Sequence, residues 1–341
     1  VMRFLTAYFS TQPGVHVLTG SERMKKRPIG ILVDALRHLG ANIEYMEKDG
    51  FPPLKVTGKK LKGGEVEVDG NVSSQFVSAL LLIATELQNG LVIRFKGEIT
   101  SRPYINMTLK MLEEFRVYGM WQGNGISVSK QSYHIKSEPG YAYQVEGDWT
   151  SASYWYAMVA LAEEAEITIN GLKNPSLQGD AILSDVFTFF GVKTVFIPNG
   201  IQLSKSRIKD EHFGFDFSDC PDLAQTVAVI VSALNIPSLF NGLHTLRIKE
   251  TDRIQALKTE LKKLGVEVNV LENSVQISPP EELKSPDLIE TYDDHRMAMA
   301  FAALAMRFDF ITIKDPEVVS KSYPDFWDDL RKTGFLVEEI N

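Results

Sequence analysis

The sequence predicts an α/β protein of two domains, assembled from one supersecondary unit repeated along the chain. Three observations carry that expectation. An amphipathic helix that stops at glycine and runs into an alternating strand recurs five times, at a period of roughly 70 to 80 residues. A second, more apolar helix and a short strand stand before four of those helices. With 341 residues, 44% hydrophobic and 23% charged, the chain can also fill two cores of ordinary size.

In chain order the glycine-ended segments are "LVDALRHLGANIEY", "TLKMLEEFRVYGMW", "LSDVFTFFGVKTVF", "LKTELKKLGVEVNV" and "FWDDLRKTGFLVEE". Their glycines are Gly40, Gly119, Gly191, Gly265 and Gly334. Apolar residues at i, i+3, i+4 and i+7 give each helix one buried face, and glycine supplies the left-handed residue that closes it. The apolar helices are "SSQFVSALLLIATEL", "SASYWYAMVALAEEA", "LAQTVAVIVSALN" and "HRMAMAFAALAMRF", followed by strands such as "LVIRF", "ITING" and "FITIKD". Their polar starts, Ser73, Thr150, Asp222 and Asp294, precede the next glycine by about 40 to 46 residues. Applied to Gly40, that offset puts the corresponding start at or before position 1. "VMRFLTAYFS" therefore reads as the same apolar helix with its first residues absent, which leaves the first unit incomplete. The domain boundary is expected near "QVEGDWTS", giving a first domain of residues 1–146 with about two units. The second domain, residues 147–341, then holds about three.

Composition excludes several functions. No stretch approaches the ~20 apolar residues of a membrane span, and the first residues lack the basic region and cleavage site of a signal peptide. A single cysteine, Cys220, rules out an internal disulfide and a thiolate zinc cluster, and fits the reducing cytoplasm. The six histidines are scattered, with no HExxH pairing. A net charge of −8 argues against nucleic acid as a partner. Neither a GxxxxGK[ST] loop nor a GxGxxG after a strand is present, so nucleotide and dinucleotide binding are unsupported. Cys220 has no adjacent basic motif and reads as a small buried thiol.

The chemistry gathers at helix starts and in the loops before the glycine-ended helices. Ser73, Ser74 and Gln75, then Ser151 and Ser153, then Asp222 stand at heads of apolar helices. Such residues ordinarily cap, but a helix N-terminus is also an anion site. The loops add Arg23, Lys25, Lys26 and Arg27, then Ser101, Arg102 and Tyr104, then Arg247, Lys249, Glu250 and Arg253, and finally Lys321. Arg296 lies at the edge of "MAMAFAALAM", where burial begins and a charge needs a partner or a ligand. In equivalent loops of a repeated fold these cations converge, which suits a small polyanion. Asp222 and Glu250 add the acid and base groups that proton transfer requires.

Eight ordered motifs then resemble those of the EPSP synthase (3-phosphoshikimate 1-carboxyvinyltransferase) family. They are "LTGSERMKKRPIGILVDAL", "GNVSSQFVSALLLIA", "ITSRPYI", "VEGDWTSASY", "DCPDLAQT", "RIKETDRI", "YDDHRMAMAF" and "SKSYPDF", and they span nearly the whole chain. The resemblance implies a two-domain inverse α/β barrel, the enolpyruvyl transferase fold, with βαβαββ units around a pseudo-threefold axis. It implies transfer of the enolpyruvyl group of phosphoenolpyruvate to the 5-hydroxyl of shikimate 3-phosphate. Phosphate leaves through a tetrahedral intermediate, without metal or cofactor, in a cytoplasmic monomer.

Carried over by motif, the phosphoenolpyruvate ligands resemble Arg27, Gln75, Arg253, Arg296 and Lys321. The shikimate 3-phosphate ligands resemble Ser73, Ser74, Gln75, Ser101, Tyr104, Asp222 and Lys249. Asp222 matches the base on the 5-hydroxyl, and Glu250 with Lys321 the proton donor to the methylene carbon. The chemistry is consistent with that set: a phosphate and a carboxylate on one small molecule need several fixed cations to hold them. The sequence departs from the family at Thr245, where many members carry Asn, and lacks the family's opening segment with its Lys–Ser…Arg motif. Two alternatives remain open: the sibling enzyme that transfers enolpyruvyl to UDP-N-acetylglucosamine, and a non-catalytic anion-binding fragment.

Overall fold

A computed structural model describes residues 1–134, 142–208, 211–272 and 274–340. The chain divides into two compact units, Val1–Gln144 with Leu177–Gly179 and Val145–Ser176 with Asp180–Asn341. Each has its own apolar core.

Unit 1 runs α1 (Met2–Thr11), β1 (Gly14–Leu18), α2 (Glu22–Lys25), α3 (Gly30–His38), β2 (Asn42–Tyr45) and β3 (Leu54–Gly58). It continues with β4 (Gly64–Asp69), α4 (Ser74–Leu82), β5 (Leu91–Lys96), α5 (Arg102–Glu114), β6 (Gly119–Trp121) and β7 (Gly125–Val128). Unit 2 runs α6 (Trp149–Leu161), β8 (Glu166–Asn170), α7 (Leu183–Phe189), β9 (Val192–Ile197), β10 (Gly200–Lys205) and β11 (Phe213–Asp216). It ends with α8 (Ala224–Ala233), β12 (Ser238–Asn241), α9 (Arg253–Lys263), β13 (Glu267–Val270), β14 (Ser274–Ser278), α10 (His295–Ala302) and α11 (Phe326–Lys332).

The sheets show that the sequence repeat is a repeat of topology. Two four-stranded sheets, β4-β5-β7-β6 and β11-β12-β14-β13, share one strand order, with the first pair parallel and the others antiparallel. The three-stranded sheets β1-β3-β2 and β8-β10-β9 are antiparallel and keep that order without its first strand. The two helix types divide the burial. α6 buries every residue except Ser151, and α8 buries all of its residues. A helix apolar around its whole circumference is stable only inside a core. By contrast α3 and α9 bury one stripe each, Leu32, Val33, Ala35 and Leu36 in the first and Ile254, Ala256, Leu257 and Leu261 in the second. No helix among the described residues is long and apolar enough to cross a membrane.

The structure corrects three sequence expectations. Gly40, Gly191, Gly265 and Gly334 close helices at positive φ, but Gly119 does not. α5 ends at Glu114, Arg116 takes the left-handed turn at φ 58°, and Gly119 opens β6. A Cβ on Gly119 would lie 2.8 Å from Leu109 Cδ2 and 2.9 Å from Val128 Cγ2, so close helix-on-sheet packing calls for glycine there. α6 starts at Trp149 with Asp148 as its cap, ahead of the expected Thr150, because Asp148 Oδ1 accepts from the Thr150 N–H at 2.9 Å. The strands expected in "FITIKD" and after Gly334 do not form ladders. Ile313 makes a single parallel bridge to Ile289, and residues 335–340 meet no strand partner among the described residues. Alternation without a neighbouring edge to pair with stays irregular.

Candidate active site

In unit 2 the candidate groups stand at the heads of three helices. Asp222 lies in the one-turn segment Pro221–Leu223 that leads into α8. Arg253 opens α9 behind the cap residue Asp252, and Lys249 and Glu250 stand just before it. Arg296 is the second residue of α10 behind the cap Asp294, and Lys321 closes the turn Pro316–Lys321.

Arg253 is the hub of this cluster. Its side chain is 2% exposed, and all three guanidinium nitrogens donate to carboxylates. Nε donates to Asp294 Oδ2 at 2.7 Å, Nη1 to Asp222 Oδ1 at 2.6 Å, and Nη2 to Glu250 Oε2 at 2.8 Å and Asp294 Oδ1 at 3.3 Å. Asp222 Oδ2 accepts from Arg296 Nη2 at 3.0 Å, and Lys249 Nζ stands 3.4 Å from Oδ1. Arg296 Nη1 donates to the Tyr154 hydroxyl at 3.4 Å, and Lys321 Nζ donates to the Asp293 carbonyl at 2.5 Å. Asp222 therefore is not a helix cap: α8 has Leu223 in that position, without a side-chain bond. Asp294 serves twice, capping the Arg296 N–H at 2.9 Å while it grips Arg253.

These contacts fix the charge states. Burial pushes the Asp222 carboxyl up, but Arg296, Lys249 and Arg253 more than reverse that and hold it well below the usual carboxylate range. Burial works against the charge on Arg296, and Asp222 keeps that guanidinium firmly protonated. His295, buried beside Arg296, is pulled down to about 4 despite the neighbouring Asp294 carboxylate. Burial and the surrounding carboxylates push the Cys220 thiol up, so it is inert as a nucleophile. Just before α10 the backbone is strained: Tyr292 and Asp293 are consecutive non-glycine residues at φ 55° and 57°.

Unit 1 gathers a different set. Ser73 is the N-cap residue of α4 and Ser101 that of α5, yet neither hydroxyl makes a cap bond. Both are left for another partner, and Ser101 holds its place at φ 54°. Ser74 and the exposed Gln75 form the first turn of α4, and Tyr104 the first turn of α5. One turn below these heads, Ser78 Oγ and Thr108 Oγ1 are 2.7 Å apart and tie the two helices together. Arg3, near the head of α1, lies 6.0 Å over the Phe76 ring and donates to Met24 Sδ at 3.7 Å. The Arg27 backbone N–H donates to the Met24 carbonyl at 3.1 Å. Helix N-termini, hydroxyls and arginines are together suited to a phosphate.

Thus Asp222, Lys249, Glu250, Arg253 and Arg296 share one network in unit 2, with Lys321 joined to it through Asp293. Ser73, Ser74, Gln75, Ser101, Tyr104 and Arg27 occupy the helix heads and loop of unit 1. Sequence reasoning missed Asp294 and Tyr154 as partners. An Asp immediately before an apolar helix that opens His-Arg was the available signal for the first, and Tyr154 inside an apolar helix gave none. Thr245 Oγ1 is buried with no hydrogen-bond partner among the described residues, as are both amide atoms of Gln225.

The family model described as EPSP synthase (3-phosphoshikimate 1-carboxyvinyltransferase) matches residues 1–330. This chain belongs to the EPSP synthase family. It is 50% identical over 340 residues to the 3-phosphoshikimate 1-carboxyvinyltransferase of Bacteroides fragilis, covering 99% of this chain and 82% of that protein. It is 39% identical over 336 residues to the enzyme of the same name from Photobacterium profundum, covering 96% and 76%. The solved EPSP synthase of Acinetobacter baumannii superposes with a TM-score of 0.76 at 24% identity, over 99% of this chain and 77% of the other. The enolpyruvyl transferase NikO of Streptomyces tendae gives 0.69 at 14% identity, over 97% and 75%. The last two likenesses bear on fold alone, and that fold is the inverse α/β barrel of enolpyruvyl transferases. Membership of the EPSP synthase family sets the UDP-sugar alternative aside.

Proposed function

We propose that the unit 2 network and the unit 1 helix heads carry out the family reaction. In it the enolpyruvyl group of phosphoenolpyruvate passes to the 5-hydroxyl of shikimate 3-phosphate, in the shikimate pathway. The observation that supports this most is Asp222 held ionised among Arg296, Lys249 and Arg253. An anionic substrate competes with Asp222 for those same cations. As Arg296 turns to phosphoenolpyruvate, Asp222 loses the first of the charges that depress it and becomes a stronger base.

Proton donation from Glu250, assisted by Lys321, to the methylene carbon makes C2 electrophilic. The 5-oxygen bonds to C2 while Asp222 takes its proton. Return of a proton from the new methyl group to the Glu250 carboxylate then expels phosphate and restores the double bond. Arg253, Lys249 and Arg296 together balance the charge of Asp222, Glu250 and Asp294, which would otherwise repel phosphoenolpyruvate, and we assign Arg27, Gln75, Arg253, Arg296 and Lys321 to that substrate. Ser73, Ser74, Gln75, Ser101 and Tyr104, with Asp222 and Lys249, take shikimate 3-phosphate, which suits serine hydroxyls left unspent at two helix heads. We read the domain boundary near residue 146 and place the protein in the cytoplasm as a monomer, the compartment its single cysteine favours. The test is phosphate release from phosphoenolpyruvate, which must depend on shikimate 3-phosphate. Release that depends instead on UDP-N-acetylglucosamine overturns the assignment.

A further inference from the structure

Helix α9 grips the segment 288–294 at two places. Arg253 and Glu260 are seven residues apart, so they project from one face of the helix. Arg253 takes Asp294 at the far end of the segment. Glu260 is wholly buried and takes the near end: Oε1 accepts from the Tyr292 hydroxyl at 2.6 Å, and Oε2 from the Glu290 N–H at 3.1 Å. Lys263 Nζ donates to the same Oε2 at 2.7 Å and to the Leu288 carbonyl at 2.9 Å. The gripped Tyr292 and its neighbour Asp293 are the adjacent left-handed residues. Such a pair persists only where surrounding contacts over-determine it. A buried carboxylate likewise needs partners for its charge and lone pairs, and every partner named for Glu260 belongs either to this segment or to the lysine that also holds it.

The segment delivers two groups to the proposed chemistry. The Asp293 carbonyl accepts from Lys321 Nζ, and Asp294 caps α10 at Arg296 while clamping Arg253. We propose that Glu260 and Tyr292 are positioning residues for enolpyruvyl transfer, setting the strap 288–294 that aims Lys321, Arg253 and Arg296. The inference rests on the roles proposed above for those three cations. Burial and the Glu260 carboxylate push the Tyr292 phenol up, so it stays protonated and donates.

The test is steady-state kinetics of Tyr292→Phe, Glu260→Gln and Glu260→Ala, with amide hydrogen exchange on the same proteins. Tyr292→Phe should raise KM for phosphoenolpyruvate about tenfold, the scale of one hydrogen bond to a charged group. KM for shikimate 3-phosphate should stay near its wild-type value. Glu260→Gln keeps an acceptor for the phenol and should be milder than Glu260→Ala. Adding Tyr292→Phe to Glu260→Ala should cost little more, since both remove one contact. Exchange should speed up across 289–296 and not along α9. Unchanged KM and exchange in Tyr292→Phe overturn the proposal, and so does an equal rise in both KM values with a lowered Tm, which marks a purely structural pair. Wild-type protein that releases no phosphate defeats the reaction assignment instead, and the exchange pattern still decides the strap.

Discussion

Acidification between pH 7.5 and 5 should cost unit 2 about 2 kcal/mol through His295 alone. The folded imidazole is lowered to about 4, by burial first and then by Arg296, with Asp294 opposing. An unfolded histidine titrates near ~6.5. Above that pH the ring is neutral in both states and stability is fully present. As the pH falls, the unfolded chain binds a proton that the folded one refuses, so stability is lost progressively until the folded group also titrates. Integrating between those two values gives about 2 kcal/mol over this window, roughly 1.2 kcal/mol per pH unit at its steepest. The assay is urea unfolding at several pH values, following the unit that carries Trp149, Trp155 and Trp327, for the wild type and His295→Asn. Carboxylate contributions are common to both proteins and cancel in the difference. A pH slope as steep in His295→Asn as in the wild type, or a His295 ring resonance titrating near ~6.5 in the folded protein, would refute the reasoning.

Asp222→Asn keeps the shape of the side chain and removes the base, so kcat for phosphate release should fall by about 10²–10⁴, with phosphoenolpyruvate binding measured by calorimetry affected far less. Arg253→Met leaves Asp222, Glu250 and Asp294 without their shared guanidinium, and should lower unfolding free energy in urea by about 3–5 kcal/mol. Ser101→Gly relieves a left-handed residue that makes no cap bond, so unit 1 should gain about 0.5–1 kcal/mol in thermal unfolding. The same change should raise KM for shikimate 3-phosphate, separating what this serine does for the fold from what it does for the substrate.

The repeat was legible because it is written in helix-closing glycines, and four of them close helices at positive φ as their spacing requires. Gly119 misled for a physical reason: a glycine demanded by side chains packing against it looks, in one dimension, like a glycine demanded by φ. The segment after Gly334 misled because alternation reports a wish to pair and cannot supply the partner. At the site, Arg296 stood out as a charge at the edge of an apolar helix, and it proved to be bound to Asp222. Whether Asp222 capped or paired was open, since both roles place an acid at a helix head, and only the distances to Arg253 and Arg296 separate them. Asp294 was visible as a helix start but not as a partner of Arg253, and Glu260 was hidden altogether. In a polar stretch a buried carboxylate and a solvated one read alike, and burial comes from contacts with elements remote in sequence.

The guanidinium shared by Asp222, Glu250 and Asp294 also limits how this sequence can drift. Lysine cannot replace Arg253, because a single ammonium lacks the planar fork that meets three carboxylates from three directions. Nor can any one of the acids be exchanged for an apolar residue without leaving positive charge uncompensated around Arg253. The mutational paths away from this arrangement therefore pass through several simultaneous changes. A lineage that carries it is held there by the coupling among four positions, independently of selection on the reaction itself.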